Sequence, residues 1–198
     1  TVEEIVEEYR MALKYSTSTK QYILMAHSIG GMYAEYWASL YPDEVEAIIY
    51  LDATPAECYV EEGKPQATTL AIAKADDIYT DKEEELRLLL MYQNTYSSAT
   101  YSEMKLYYDN AETVLESRDI KEIPKLYLVA DRYDGAYFDS VYKEQLNKEY
   151  SGYNEKIEEK IAKGKEILAQ KIKYVEALEN IEIKYISAPH TLYEYAPK

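Results

Sequence analysis

The sequence predicts an α/β fold built on a doubly wound, mostly parallel sheet. Two observations carry this. A short apolar run, Tyr22-Ile23-Leu24-Met25, passes through Ala26-His27-Ser28-Ile29-Gly30-Gly31 into a helical pattern, and a second apolar run follows at Ala47–Leu51. The same alternation returns near the end of the chain, where Lys125–Ala130 is followed by helical patterns and then by Ile181–Ile186. Strands separated by helices rather than by tight turns must pair in parallel, because only a crossover returns the chain to the same end of the sheet.

The elements follow in order. Thr1-Val2-Glu3-Glu4 has the form of a capping box, and Val2, Ile5, Val6, Tyr9, Ala12 and Leu13 fall on one helical face behind it. The polar loop Ser16–Lys20 leads into the strand at Tyr22. The next helix runs from about Ile29 to Leu40, with Ala34, Trp37 and Ala38 as packing positions, and a strand covers Glu46–Leu51. Residues 55–120 hold no convincing strand. Asp81-Lys82-Glu83-Glu84 and Thr100-Tyr101-Ser102-Glu103 are helix-start signals, followed by Leu86, Leu89 and Leu90, and by Met104, Tyr107, Tyr108, Ala111, Val114 and Leu115 at helical spacing. Pro124 precedes the strand Lys125–Ala130. Helices from about Phe138 to Tyr150 and Glu155 to Glu179 lead to the last strand, and Ser187-Ala188-Pro189-His190 follows it.

The segment Tyr22–Pro55 has the layout of a nucleophile elbow: strand, tight turn with Ser28 at its tip, helix, strand. Such a turn holds the serine in a strained backbone conformation and exposes its hydroxyl. It also directs the next backbone N–H, that of Ile29, toward an oxyanion formed there. Ala26 and Gly30 supply small residues where strand and helix cross. The stretch resembles the α/β-hydrolase superfamily. The Gly-x-Ser-x-Gly pattern is present with Ala in the first place, and Tyr41-Pro42-Asp43-Glu44-Val45 resembles the turn that precedes the next strand in that superfamily.

The resemblance implies a serine hydrolase, esterase-like or lipase-like, and a chain order of nucleophile, acid and base, each at the end of a strand. The chain has two histidines. His27 sits inside the elbow and is expected to be structural. His190 follows the last strand, where the superfamily keeps its base. The acid stays open: Asp134, just before Gly135, fits the family's position best, with Asp131 next, and Asp52 at the end of the preceding strand as a further alternative. The resemblance also implies that residues 1–54 and 121–198 form the core and 55–120 a helical cap over the site. The elbow strand is usually the fifth of eight, so the chain reads as lacking the superfamily's N-terminal strands. The loop that supplies the second oxyanion donor is among what is missing, so this piece alone is expected to be poorly active or inactive. An uncovered sheet edge and self-association are expected as well. A non-catalytic relative, kept for binding, is the alternative reading.

Composition sets the outer limits. At 198 residues with 47% apolar content, the chain suffices for one domain with a real core. Its net charge of −15 argues against nucleic acid and anionic membrane surfaces as partners. The acidic residues are spread over helix faces, which points to solubility. The single cysteine, Cys58, precludes an intramolecular disulfide, and two distant histidines give no metal-ligand spacing. No cofactor or metal is therefore expected, and the partner expected is a small acyl substrate. No 18-residue apolar run or signal peptide is seen, which leaves the compartment unknown, with cytoplasm only as a default. The 24 tyrosines against one phenylalanine and one tryptophan read as compositional bias.

Overall fold

The computed structural model describes residues 1–63, 103 and 105–194. The predicted helix starting at Asp81, with Leu86, Leu89 and Leu90, lies outside the described residues. The four strands are β1 (Tyr22–His27), β2 (Val45–Leu51), β3 (Lys125–Ala130) and β4 (Ile181–Ile186). They form one sheet in the order β1-β2-β3-β4, and every pair is parallel. The parallel α/β class read from the sequence is the class observed.

The sequential order fixes where the helices go. Right-handed crossovers that always step in one direction lay every connecting helix on the same face of the sheet. The main core accordingly lies on one face. It gathers Tyr22, Leu24 and Ala26 of β1, Ile48 and Tyr50 of β2, Tyr127 and Val129 of β3, and Ile181 and Ile183 of β4. The helices packed there are α1 (Val2–Ser16), α2 (Gly30–Leu40), α4 (Tyr107–Ser117) and α6 (Asn154–Glu176). The alternate residues point the other way. On that second face Leu51, Leu128 and Ile186 pack with Ala130, Ala188 and Leu192, so the chain after β4 covers the sheet at its carboxyl end. Among the described residues, the winding is therefore helical on one face and looser on the other.

Local sequence accounts for the remaining elements. Thr1 caps α1 as a capping box, its Oγ1 accepting from Glu4 N at 3.3 Å. Val2, Val6 and Arg10 form the buried stripe of α1, whereas Tyr9 and Ala12, expected on that stripe, are exposed. Arg10 makes a bidentate pair with Glu44, at 2.8 and 2.6 Å, and Trp37 Nε1 donates to the same carboxylate at 3.0 Å. The Tyr41–Val45 turn is thereby pinned to α1 and α2. The short helix α3 (Ala56–Glu62) packs on α4. Val2 N donates to Asn110 Oδ1 at 2.9 Å, and α4 also packs on α2, which ties Tyr107–Ser117 into the body. The expected helix at Phe138–Tyr150 is a helical turn, Gly135–Tyr137, a π-helical turn, Phe138–Tyr142, and helix α5, Lys143–Glu149.

The tyrosine-rich composition has a consequence inside the core. Tyr50 and Tyr127 stack with ring centroids 5.1 Å apart and are almost fully buried. A buried phenol needs a partner for its hydroxyl. Tyr127 donates to the carbonyl of Ala53, and Tyr50 to Glu35 Oε1 at 3.4 Å. Glu35 is buried in α2, and Arg118 spans from it to Glu57 of α3, at 3.3 and 2.5 Å.

Candidate active site

Parallel pairing brings the carboxyl ends of all four strands to one edge of the sheet, where ligands bind in open α/β sheets. Ser28 follows β1, Asp52 follows β2, Asp131 follows β3 and His190 follows β4. Ser28 has φ of +53°, in the left-handed region that favours glycine. A positive φ is the conformation the sequence reading expects at this turn, and Ser28 lies between β1 and the first turn of α2. Ile29 occupies the N-cap of α2. The space-limited position is Gly31 rather than Gly30. A Cβ at Gly30 would meet Ala26 Cβ at an ordinary 3.9 Å, whereas one at Gly31 would lie 2.9 Å from Ala53 Cβ. The turn at Ser28 thus fits closely against the loop that carries Asp52, and Thr54 N donates to the carbonyl of Ser28 at 3.0 Å.

His190 Nδ1 lies 2.6 Å from Asp52 Oδ2. Asp52 is buried, its φ is +47°, and its Oδ1 accepts from Ala130 N at 3.1 Å. Burial acts to raise the Asp52 carboxyl, but the His190 hydrogen bond and the Lys171 ammonium together hold it below the usual aspartate range. An ionised carboxylate only accepts, so Nδ1 of His190 carries the proton and, in the neutral ring, Nε2 keeps its lone pair. That is the tautomer a general base requires. His27 Nε2 lies 3.0 Å from the carbonyl oxygen of His190 and donates to it, and the two rings are 4.4 Å apart between centroids. The residue before the serine therefore clamps the backbone of the histidine loop.

The carboxylate beside His190 is Asp52, not Asp134 or Asp131, which corrects the expected order of preference. Both other aspartates are spent on folding their own loop. Asp134 is exposed and its Oδ1 caps the next turn, accepting from Gly135 N at 2.8 Å. Asp131 Oδ1 accepts from Tyr133 N at 2.9 Å. The Tyr133 ring lies against Gly164 of α6, where a Cβ would overlap it. Ser187 Oγ bridges the same loop, accepting from Tyr137 N at 2.9 Å and donating to the Asp134 carbonyl at 2.7 Å.

Lys171 of α6 was not legible as part of this cluster. Its Nζ lies 2.6 Å from Asp52 Oδ1 and 3.2 Å from the Asp52 carbonyl oxygen. The helix looks solvent-facing because it is rich in charge. The available signal was position: Lys171 falls three residues after Leu168 and four before Val175, on the apolar stripe.

No family model matches the chain. The uncharacterized protein YbdG of Bacillus subtilis (strain 168) is 25% identical over an alignment of 219 residues, covering 99% of this chain. The chain spans 60% of that relative's length. Among solved structures, a probable hydrolytic enzyme of Pseudomonas aeruginosa PAO1 is similar at 16% identity and a TM-score of 0.44, over 98% of this chain and 65% of that one. A marine microorganism esterase is similar at 15% identity and a TM-score of 0.46, over 98% and 72% of the two chains.

Proposed function

We propose that the protein is a serine hydrolase in which Ser28 is the nucleophile, His190 the general base and Asp52 the orienting acid. The observation that carries this is the 2.6 Å contact between His190 Nδ1 and Asp52 Oδ2 at the carboxyl end of the sheet, the same end at which Ser28 follows β1 with positive φ. A serine hydroxyl needs a base, and the base needs a fixed tautomer. Ser28 attacks the carbonyl carbon of an ester or related acyl group, and His190 Nε2 takes the hydroxyl proton. The tetrahedral oxyanion is received by the Ile29 N–H at the start of α2. Collapse expels the leaving alcohol, which takes its proton from His190. Water, deprotonated by the same nitrogen, then hydrolyses the acyl-enzyme. The segment 55–120 is assigned the part of a cap over the acyl pocket; of it, α3 and α4 are described, and α4 packs on the body.

The test is turnover of short-chain p-nitrophenyl esters. The proposal expects hydrolysis, slowed by about 100- to 1000-fold where the second oxyanion donor is lacking, that disappears in Ser28→Ala and in His190→Ala while the circular dichroism spectrum stays native. Equal turnover in Ser28→Ala would overturn it.

A further inference from the structure

Resting on that reading, we infer that Lys171 is a positioning residue for the base: it fixes the orientation of the Asp52 carboxylate and offsets its charge, and so tunes His190. Asp52 divides its two oxygens. Oδ2 faces His190, while Oδ1 faces Lys171 Nζ at 2.6 Å and the Ala130 amide at 3.1 Å. Lys171 also reaches the Asp52 carbonyl oxygen at 3.2 Å, so one ammonium grips both ends of a residue held at positive φ. The terminal torsion of a carboxylate is otherwise broad. With Lys171 removed, only one amide would hold Oδ1, and Oδ2 would no longer be directed at the imidazole.

The charge matters as well as the grip. Lys171 and Asp52 expose 13% and 7% of their side chains, so solvent screens their attraction little. Burial pulls the ammonium below the ordinary lysine range, and Asp52 opposes this. The other ionisable groups around the cluster are Cys58 and Arg132 beside Lys171, Tyr127, whose ring lies 5.6 Å beneath the ammonium, and His27, whose ring lies 4.4 Å from that of His190 at a 40° tilt. A lone buried carboxylate would draw a proton onto its couple with His190. Paired with Lys171, it carries less net charge, and the imidazole remains free to act as a base at lower pH. One carboxylate separates the ammonium from the imidazole, with a 2.6 Å contact on each side. A unit charge about 6–7 Å away, at an effective dielectric of about 20–40, moves a proton equilibrium by about one to two pH units.

The experiment follows the imidazole 15N and 13C signals with pH in the wild type, Lys171→Met and Lys171→Arg. The chain has two histidines, so His27→Gln assigns them. The coupled Asp52–His190 titration is expected to move up by about one to two pH units in Lys171→Met. It should return toward the wild-type position in Lys171→Arg, which keeps the charge if Met impairs folding. A titration that stays in place or moves down in Lys171→Met, with native dichroism, would overturn the inference. A lysine needed only for packing would lower the melting temperature without moving the titration. The acid limb of fluorophosphonate labelling at Ser28 should shift in the same direction. A wild type that is never labelled counts against the hydrolase reading, while the imidazole titration still decides the role of Lys171.

Discussion

The Asp52 carboxylate meets His190 across 138 residues of sequence, with Oδ2 2.6 Å from Nδ1. Its other oxygen is 2.6 Å from Lys171 Nζ, so one aspartate joins the end of β2, the loop after β4 and the long helix between β3 and β4. Removing one partner of a buried ion pair costs more than replacing both, because the remaining charge is left uncompensated. Asp52→Asn should therefore destabilise by about 3 kcal/mol, and Asp52→Asn with Lys171→Met by clearly less than the sum of the single variants. Urea denaturation of the double-mutant cycle measures this. Additive losses would show that the two residues are not coupled.

Glu35 gives the fold a pH dependence of its own. Burial pushes its carboxyl up to about 7, with Arg118 opposing and Glu57 adding to the rise. The folded state then holds a proton that the unfolded state releases near pH 4.5. Stability from this group is full below about pH 4.5 and is lost as pH rises toward 7. The difference is worth about 3 kcal/mol. Between those pH values the stability of the wild type should fall relative to that of Glu35→Gln, as read by denaturation at each pH. Parallel pH profiles would rule the assignment out.

Much of the fold was legible because its signals are local. The capping box at Thr1, the apolar runs of β1 to β4 and the elbow turn each depend on a few adjacent residues. The placement of Ser28 and His190 after strands was legible for the same reason. That Asp52 is the carboxylate beside His190 was not. Three aspartates follow strands, and only the depth of Asp52 under Lys171 and His190 separates them. That depth is set by α6, which lies 119 residues away in sequence from Asp52 at Lys171. The buried Glu35–Arg118–Glu57 chain was hidden likewise, because a charged residue in an amphipathic pattern reads as solvent-facing until its partner is known.

The turn after β1 stores backbone strain at Ser28, whose φ is +53°. A non-glycine residue in the left-handed region costs about 1 kcal/mol or somewhat more. Ser28→Gly should raise stability by about 1 kcal/mol over Ser28→Ala, although both lose the hydroxyl. Thermal denaturation compares them. Equal stability would mean that the turn is not strained.

The β1 edge is expected to pair with a second copy of the chain. Among the described residues β1 is flanked on one side only, carries no charged residue, and exposes 57% of Ile23 and 66% of Met25. Edges of this kind are normally blunted by charge. Sedimentation velocity should show concentration-dependent association, abolished when Ile23→Lys and Met25→Lys are combined. A monodisperse wild-type monomer at all concentrations would contradict this.

The central claim is that Ser28 works through His190 and Asp52, and mass-spectrometric mapping of a fluorophosphonate adduct tests it most directly. The account predicts one adduct, on Ser28, absent in Ser28→Ala. Its rate of formation should fall by about 1000-fold or more in Asp52→Asn, at a temperature where that variant is folded, and stay near wild type in Asp134→Asn. An adduct that survives Ser28→Ala, or a rate that collapses in Asp134→Asn and persists in Asp52→Asn, would contradict it.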